Sequence, residues 1–309
     1  MAIQKQEFMA SEADGLNISV LTVLPEKEPY RGAVQLVHGM SEYKERYLPF
    51  MEYLAEKGYV SVIHDHRGHG KSVRDKEDLG YMFGGGAEAL IKDIEMVNRM
   101  MHLRYPELKL VLFGHSMGSL AVRAFTAQHD SRIDMLIVCG SPSENPALGL
   151  GTGIAGLQKT LLGARHRSKL IETLSFGPGA LKFRNDESCT AWVCSYPAVA
   201  EEYETSELCG FTFTTDGYLA LFELMRRAYD TERFSCTNPD MPVLFVSGAD
   251  DPCMGNVRKF AKSVQAMRHA GYRDVRGKLY PGMRHEILNE KEKEKVYRDL
   301  TVYMEKKGF

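Results

Sequence analysis

The sequence has almost no excess of either charge: 39 Lys and Arg stand against 41 Asp and Glu, a formal net charge of -2. A nearly neutral chain sets up no global field that would gather nucleic acid or anionic headgroups, so no nucleic-acid partner is expected. A run of about 18 uncharged apolar residues is missing, which excludes a membrane-spanning helix. The opening stretch MAIQKQEFMASEADG has no apolar core of the kind that directs secretion, and cytoplasm is the expected compartment. Six cysteines (Cys139, Cys189, Cys194, Cys209, Cys236, Cys253) are scattered without a C-x-x-C pair. That spacing argues against a zinc site or a disulfide framework and points to reduced thiols. Internal repeats and low-complexity tracts are also absent.

What is present is ordinary globular usage, 44% hydrophobic and 26% charged over 309 residues. A compact fold of this size buries roughly three-quarters of its unfolded surface and needs no staple. Short apolar runs alternate with longer helical patterns: Val34 to Val37, Tyr59 to Ile63, Leu108 to Phe113, Met135 to Cys139, Val243 to Val246 and Lys278 to Tyr280. Leu90, Ile94, Val97 and Met101 follow the spacing of one helix face, and Ile287 to Met304 reads as a charged amphipathic helix. Such alternation predicts an α/β fold with a mostly parallel sheet covered on both faces. About a hundred residues separate the strands ending near 140 and starting near 241, too many for a bare connection. The expected division is a core of residues 1–140 and 241–309 with a mainly helical cap inserted at 141–240.

The chemistry is concentrated at Leu108 to Gly118, LKLVLFGHSMG: a buried strand, then Gly114-His115-Ser116-Met117-Gly118, then a helical pattern. This is G-x-S-x-G in the strand-turn-helix setting it requires, with the two glycines allowing strand and helix to approach while Ser116 projects its hydroxyl. A serine hydroxyl needs a base, and a base needs an orienting carboxylate. Gly248-Ala249-Asp250-Asp251-Pro252 follows one strand and Arg284-His285-Glu286 follows the last, giving the chain order Ser, Asp, His. Periodicity does not separate Asp250 from Asp251. Two backbone amides must bind a developing oxyanion. One is expected from Met117, and the other from Met40 in the loop Val37-His38-Gly39-Met40-Ser41, with His38 as a hydrogen-bonded wall.

Other signals carry less. His64, Asp65, His66 and His69 offer donors to a metal, but Arg67 among them repels a cation, and no metal or other cofactor is expected. Gly68-His69-Gly70-Lys71-Ser72 resembles the tail of a phosphate loop, yet Asp65 stands where its first glycine belongs. Gly84-Gly85-Gly86 reads as a turn into the helix of Leu90. Glu201, Glu202, Glu204 and Glu207 read as a solvated face, with binding of a substrate amine as the alternative. Cys253 is expected near the site.

The segments Val37 to Glu42 with Arg46-Tyr47, Asp65 to Ser72, Gly114 to Ser119 and Arg284 to Glu290 resemble the monoacylglycerol lipase and lysophospholipase-like α/β-hydrolases of the serine aminopeptidase S33 clan. Ser175-Phe176-Gly177 and Cys209-Gly210-Phe211 look like the bacterial branch. The resemblance implies the α/β-hydrolase fold, a triad of Ser116, Asp251 and His285, and oxyanion donors Met40 and Met117. It also implies a serine hydrolase that cleaves carboxylic esters of single acyl chains, a small-molecule substrate, through an acyl-enzyme. A serine aminopeptidase or amidase and a short-chain carboxylesterase are the alternatives. Leu150, Ile154, Leu157 and Leu161, spaced four, three and four, are expected to form an aliphatic stripe of a mobile lid that receives the acyl chain and touches lipid surfaces transiently.

Overall fold

In the computed structural model, which describes residues 2–183, 185–186 and 188–309 (backbone alone for Phe176, Pro178, Gly179 and Ala180), the chain opens with a hairpin. Its strands, β1 (Ile3–Ala10) and β2 (Asn17–Leu24), pair antiparallel. The sequence did not announce β1, because Lys5 and Glu7 interrupt its apolar pattern. An edge strand tolerates them, and Ile3 and Phe8 are themselves exposed. The six apolar runs become β3 (Gly32–Val37), β4 (Tyr59–His64), β5 (Leu110–His115), β6 (Met135–Cys139), β7 (Val243–Gly248) and β8 (Val275–Tyr280). These six are mutually parallel, in a single eight-stranded sheet of order β1-β2-β4-β3-β5-β6-β7-β8.

Helices cover both faces, which is why the central strands are apolar without alternation. Between strands run α1 (Leu48–Glu56), α2 (Gly86–Arg104) and α3 (Met117–His129). The connection from β6 to β7 carries α4 (Leu148–Leu162), α5 (Lys169–Lys182), α6 (Pro197–Thr205) and α7 (Thr215–Tyr229), and the chain finishes with α8 (Val257–His269) and α9 (Lys293–Lys306). On one face Leu112, Leu136, Val138 and Phe245 pack against α2, α3, α7 and α8. On the other, Phe113, Ile137 and Val246 pack against Phe50 and Leu54 of α1 and Val296 and Leu300 of α9. The stripe of Leu90, Ile94, Val97 and Met101 is buried on α2, as its spacing required. Among the described residues no helix is long and apolar enough to cross a membrane, and all six cysteines are free thiols.

The helices between β6 and β7 are not all alike. α7 shares the core of α2 and α3, and the buried Arg123 of α3 donates to the Ala228 carbonyl at 2.6 Å while its guanidinium lies 4.2 Å from the centre of the Tyr229 ring. A cation against the last carbonyls of a helix is favourably placed, so this contact fixes the end of α7 to the helix behind Ser116. The stripe expected on α4 turns out differently. Leu150, Leu157 and Leu161 are 70%, 61% and 71% exposed, and only Ile154 reaches the core. The reason is that α4 approaches α7 through its small residues, Ala155 and Gly151, where a side chain on Gly151 would lie 3.3 Å from Phe222. The leucines are left on the opposite side.

Gly153 and Gly156 of α4 have open space where a side chain would be. Gly153→Ala and Gly156→Ala are therefore expected each to stabilise the protein by roughly 0.5–1 kcal/mol through helix propensity. Gly151→Ala, which meets Phe222, is expected to gain less. Urea unfolding of the three variants checks both statements.

Candidate active site

Strand β5 hands over to α3 through a single residue, Ser116, at φ 52 and ψ -119. A non-glycine residue with positive φ is strained and persists only where its surroundings hold it. Here they do: a side chain on Gly118 would come within 2.2 Å of the Val37 carbonyl, and one on Gly114 within 2.5 Å of the Gly118 carbonyl. With both positions bare, α3 seats against β3 and β5 and the Ser116 hydroxyl is lifted into a cavity at the carboxyl edge of the sheet.

The loops after β7 and β8 meet it there. His285 Nε2 lies 2.8 Å from Ser116 Oγ, and His285 Nδ1 lies 3.0 Å from each carboxylate oxygen of Asp251. Asp251 is further held by the Ser247 hydroxyl at 2.9 Å and the Cys253 amide at 2.8 Å. Asp250 is exposed and makes no approach to His285. A carboxylate at Nδ1 places the imidazole hydrogen there and leaves the lone pair of Nε2 facing the serine hydroxyl. The Cys253 thiol is part-buried and pushed up by that burial, so it is held as the weakly reactive thiol.

The loop after β3 closes the other side. Gly39 presses so closely that a side chain there would be 3.0 Å from Ser116 Cβ. The backbone amides of Met40 and Met117 have no hydrogen-bond partner among the described residues. Of the histidines considered as metal donors, His66 and His69 hold this loop together with His38. His38 Nε2 accepts the His66 amide at 2.9 Å, His66 Nε2 donates to the His38 carbonyl at 3.0 Å, and His69 Nε2 accepts the Ser41 amide at 3.1 Å. Burial keeps His64, His66 and His69 neutral, each pushed down to about 3. Arg67 is engaged by Asp93 and Asp14, and Asp65 by Lys44 at 2.7 Å. Among the described residues, the one group of donors spaced for a metal is Asp251, Cys253 and His285, which is the set facing Ser116.

The cavity over Ser116 has a volume of about 250 Å³ and is walled by Met40, Trp192, Val193, Tyr203 and Phe211, with Glu42, Glu172 and Glu286 as its carboxylates. The structure does not bring Leu150, Ile154, Leu157 or Leu161 to it. Glu201, Glu202, Glu204 and Glu207 lie exposed on the surface. Trp192, whose ring centre is 5.4 Å from that of His285, and Phe211 were missed in the sequence because both sit in irregular segments without periodicity. Glu172 was missed because nothing marks it on α5; it accepts the Thr212 hydroxyl at 2.9 Å.

Residues 28–292 match the family described as serine aminopeptidase, S33. The chain belongs to that family. It is 24% identical over 300 residues to a monoacylglycerol lipase of Mycolicibacterium smegmatis, covering 97% of each chain. It is 26% identical over 274 residues to the phospholipase YtpA of Bacillus subtilis, covering 86% of this chain and 92% of that one. Among solved structures, a thermostable carboxyl esterase from Bacillus coagulans superposes over 100% of both chains with a TM-score of 0.89 at 23% identity. A monoglyceride lipase from Saccharomyces cerevisiae does so over 99% of this chain and 96% of that one with a TM-score of 0.76 at 20% identity. The fold is the α/β-hydrolase fold.

In this S33-family hydrolase, the charges beside Ser116 shift one another. Burial disfavours a charged His285, but the adjoining Asp251 carboxylate outweighs it, and the imidazole is raised well above its ordinary value. Burial likewise opposes charge on Asp251, and His285 with its other donors overcomes this to hold the carboxylate low. A base must be neutral to take a proton, so a raised pKa moves the neutral form to higher pH. The limb of kcat/KM for an activated ester is therefore expected above the unperturbed value of about 6.5. Asp251→Asn should lower that limb and cost about 10⁴ in kcat, because the amide favours the wrong tautomer, whereas Asp250→Asn should change neither. Equal, mild losses in the two variants would mean that a different acid orients His285.

Proposed function

We propose that Ser116, His285 and Asp251 form a catalytic triad and that the enzyme hydrolyses carboxylic esters of single acyl chains, of the monoacylglycerol or lysophospholipid kind, through an acyl-enzyme. The observation that carries this is the hydrogen-bonded series of Ser116, His285 and Asp251 opening into one mostly apolar cavity. The Ser116 hydroxyl attacks the ester carbonyl as its proton passes to His285 Nε2, and the Met40 and Met117 amides receive the oxyanion. His285 returns the proton to the leaving alcohol; water, activated by the same imidazole, then releases the acid. A cavity of about 250 Å³ lies below the roughly 300–1,000 Å³ that enclose drug-sized ligands, which favours one chain over two. The names of the relatives, a monoacylglycerol lipase and a phospholipase, favour the same class.

In this reading residues 141–240 act as the cap, with α7 its fixed base and α5 and α6 the cover. Leu150, Leu157 and Leu161 on α4, with Leu170, Leu174 and Leu181 on α5, form an exposed apolar surface suited to transient contact with a lipid layer. The chain walls become Met40, Trp192, Val193, Tyr203 and Phe211.

A fluorophosphonate should add once, at Ser116, and Ser116→Ala should lose on the order of 10⁶ in kcat, by analogy with subtilisin. With p-nitrophenyl esters from acetate to palmitate below micelle concentrations, kcat/KM should rise by up to about fourfold per methylene and then plateau where the cavity ends. Acetate as the best substrate would leave a short-chain esterase. Preference for aminoacyl p-nitroanilides would establish the aminopeptidase alternative instead.

A further inference from the structure

Three consecutive amides cross the mouth of the cavity, and the two outer ones are held by buried side chains. The Gly39 amide donates to Glu42 Oε1 at 2.5 Å, and the Ser41 amide donates to His69 Nε2 at 3.1 Å. Met40 lies between them with its amide unpaired. We infer that Glu42 and His69 are positioning residues that aim the Met40 amide at the oxyanion by fixing the amides on either side of it. This rests on the proposed reading of Ser116 as nucleophile and Met40 as donor.

The two acceptors are themselves anchored. Glu42 is 2% exposed; its Oε1 also receives the Tyr47 hydroxyl at 2.9 Å, and its Oε2 faces Arg46 at 3.3 Å. Arg46 forks onto Glu286 at 2.5 and 2.8 Å, and Glu286 is the residue after His285. One buried guanidinium thus ties the loop of Met40 to the loop of His285. His69 is fully buried, and its Nδ1 donates to the Arg67 carbonyl at 3.0 Å, which fixes Nε2 as the acceptor. Ser41 has φ 53, a strained conformation for a residue with a side chain, and it persists where His69 holds the Ser41 amide. Two side-chain acceptors beyond the reacting atoms are a costly arrangement for a loop that needs only to turn. They are the arrangement needed to keep one amide free and directed.

The test compares binding of a transition-state mimic with binding of a ground-state ligand. An alkyl trifluoromethyl ketone forms a hemiketal oxyanion on the serine; the free fatty acid of the same chain length does not. Loss of a whole oxyanion donor costs about 10²–10³, so a misdirected one in Glu42→Ala or His69→Phe should cost about 10- to 100-fold in kcat. KM and fatty-acid affinity should stay within about twofold, and ketone affinity should fall in step with kcat. Glu42→Gln, which keeps an acceptor for Gly39, should recover most of the loss. Should Glu42→Ala fail to fold, Glu42→Met fills the same space without an acceptor and carries the same expectation. Unchanged kcat and ketone affinity in the folded variants, or equal loss for ketone and fatty acid, would overturn the inference. Failure of the underlying reading looks different: Ser116→Ala would remain active or the fluorophosphonate would label elsewhere.

Discussion

The site depends on how closely α3 can approach β3. Val37 ends that strand, and its carbonyl would lie 2.2 Å from a side chain on Gly118. Only without that side chain does the helix seat, and only with the helix seated does Ser116 take up φ 52 with its amide on the Cys139 carbonyl at 3.0 Å. The same approach brings the loop of Gly39 against Ser116. A single steric permission therefore places the hydroxyl and that loop together. Parallel pairing of β5 with β3 and β6 fixes the height at which this happens, and the ends of β7 and β8 deliver Asp251 and His285 to the same edge.

Around that edge the protein buries several paired charges. Arg46 sits between Glu42 and Glu286; burial first and the nearby Glu286 charge second push Glu42 up to about 7, while Glu286, forked onto Arg46, is held low. Lys44 and Asp65 pair in full burial, as do Arg67 and Asp93. Buried ion pairs are weak contributors to stability, since desolvation offsets their attraction, but losing one partner is costly. Their value here is geometric: each ties a loop at the carboxyl edge to another part of the chain, and together they hold loops that hydrophobic packing alone would leave free to shift.

Strands β3 to β7 were legible in the sequence because they are buried on both faces and read as unbroken apolar runs, whereas the edge strand β8 is exposed from Arg276 to Lys278. Ser116, the order of the acid and the base, and the loop of Met40 were legible because glycines and strand ends punctuate them. The choice of Asp251 over Asp250 was not, since neighbouring carboxylates in a turn share every local signal; it came from resemblance, and only the fold shows which one faces His285. The stripe on α4 misled for a related reason. Spacing identifies a face, but Gly151 and Ala155 decide which face packs, because small residues let helices approach. The roles of the histidines at 66 and 69 were not legible either: Arg67 among them argued against a metal, but only the fold shows that His66 bonds to His38 and His69 to the Ser41 amide.

The walls of the cavity were the least legible part, and their origin explains why. Met40 comes from the loop after β3, while Trp192, Val193 and Phe211 come from irregular segments between α5 and α7. The first is fixed by the buried charges just described; the others hang on a connection whose firm attachment is α7. Ser116, His285 and Asp251 thus stand at the carboxyl edge of the sheet, while Trp192, Val193, Tyr203 and Phe211 of the cavity wall come from the connection between β6 and β7. An esterase and a monoglyceride lipase share this fold at 23% and 20% identity, so the fold alone does not fix what a member acts on.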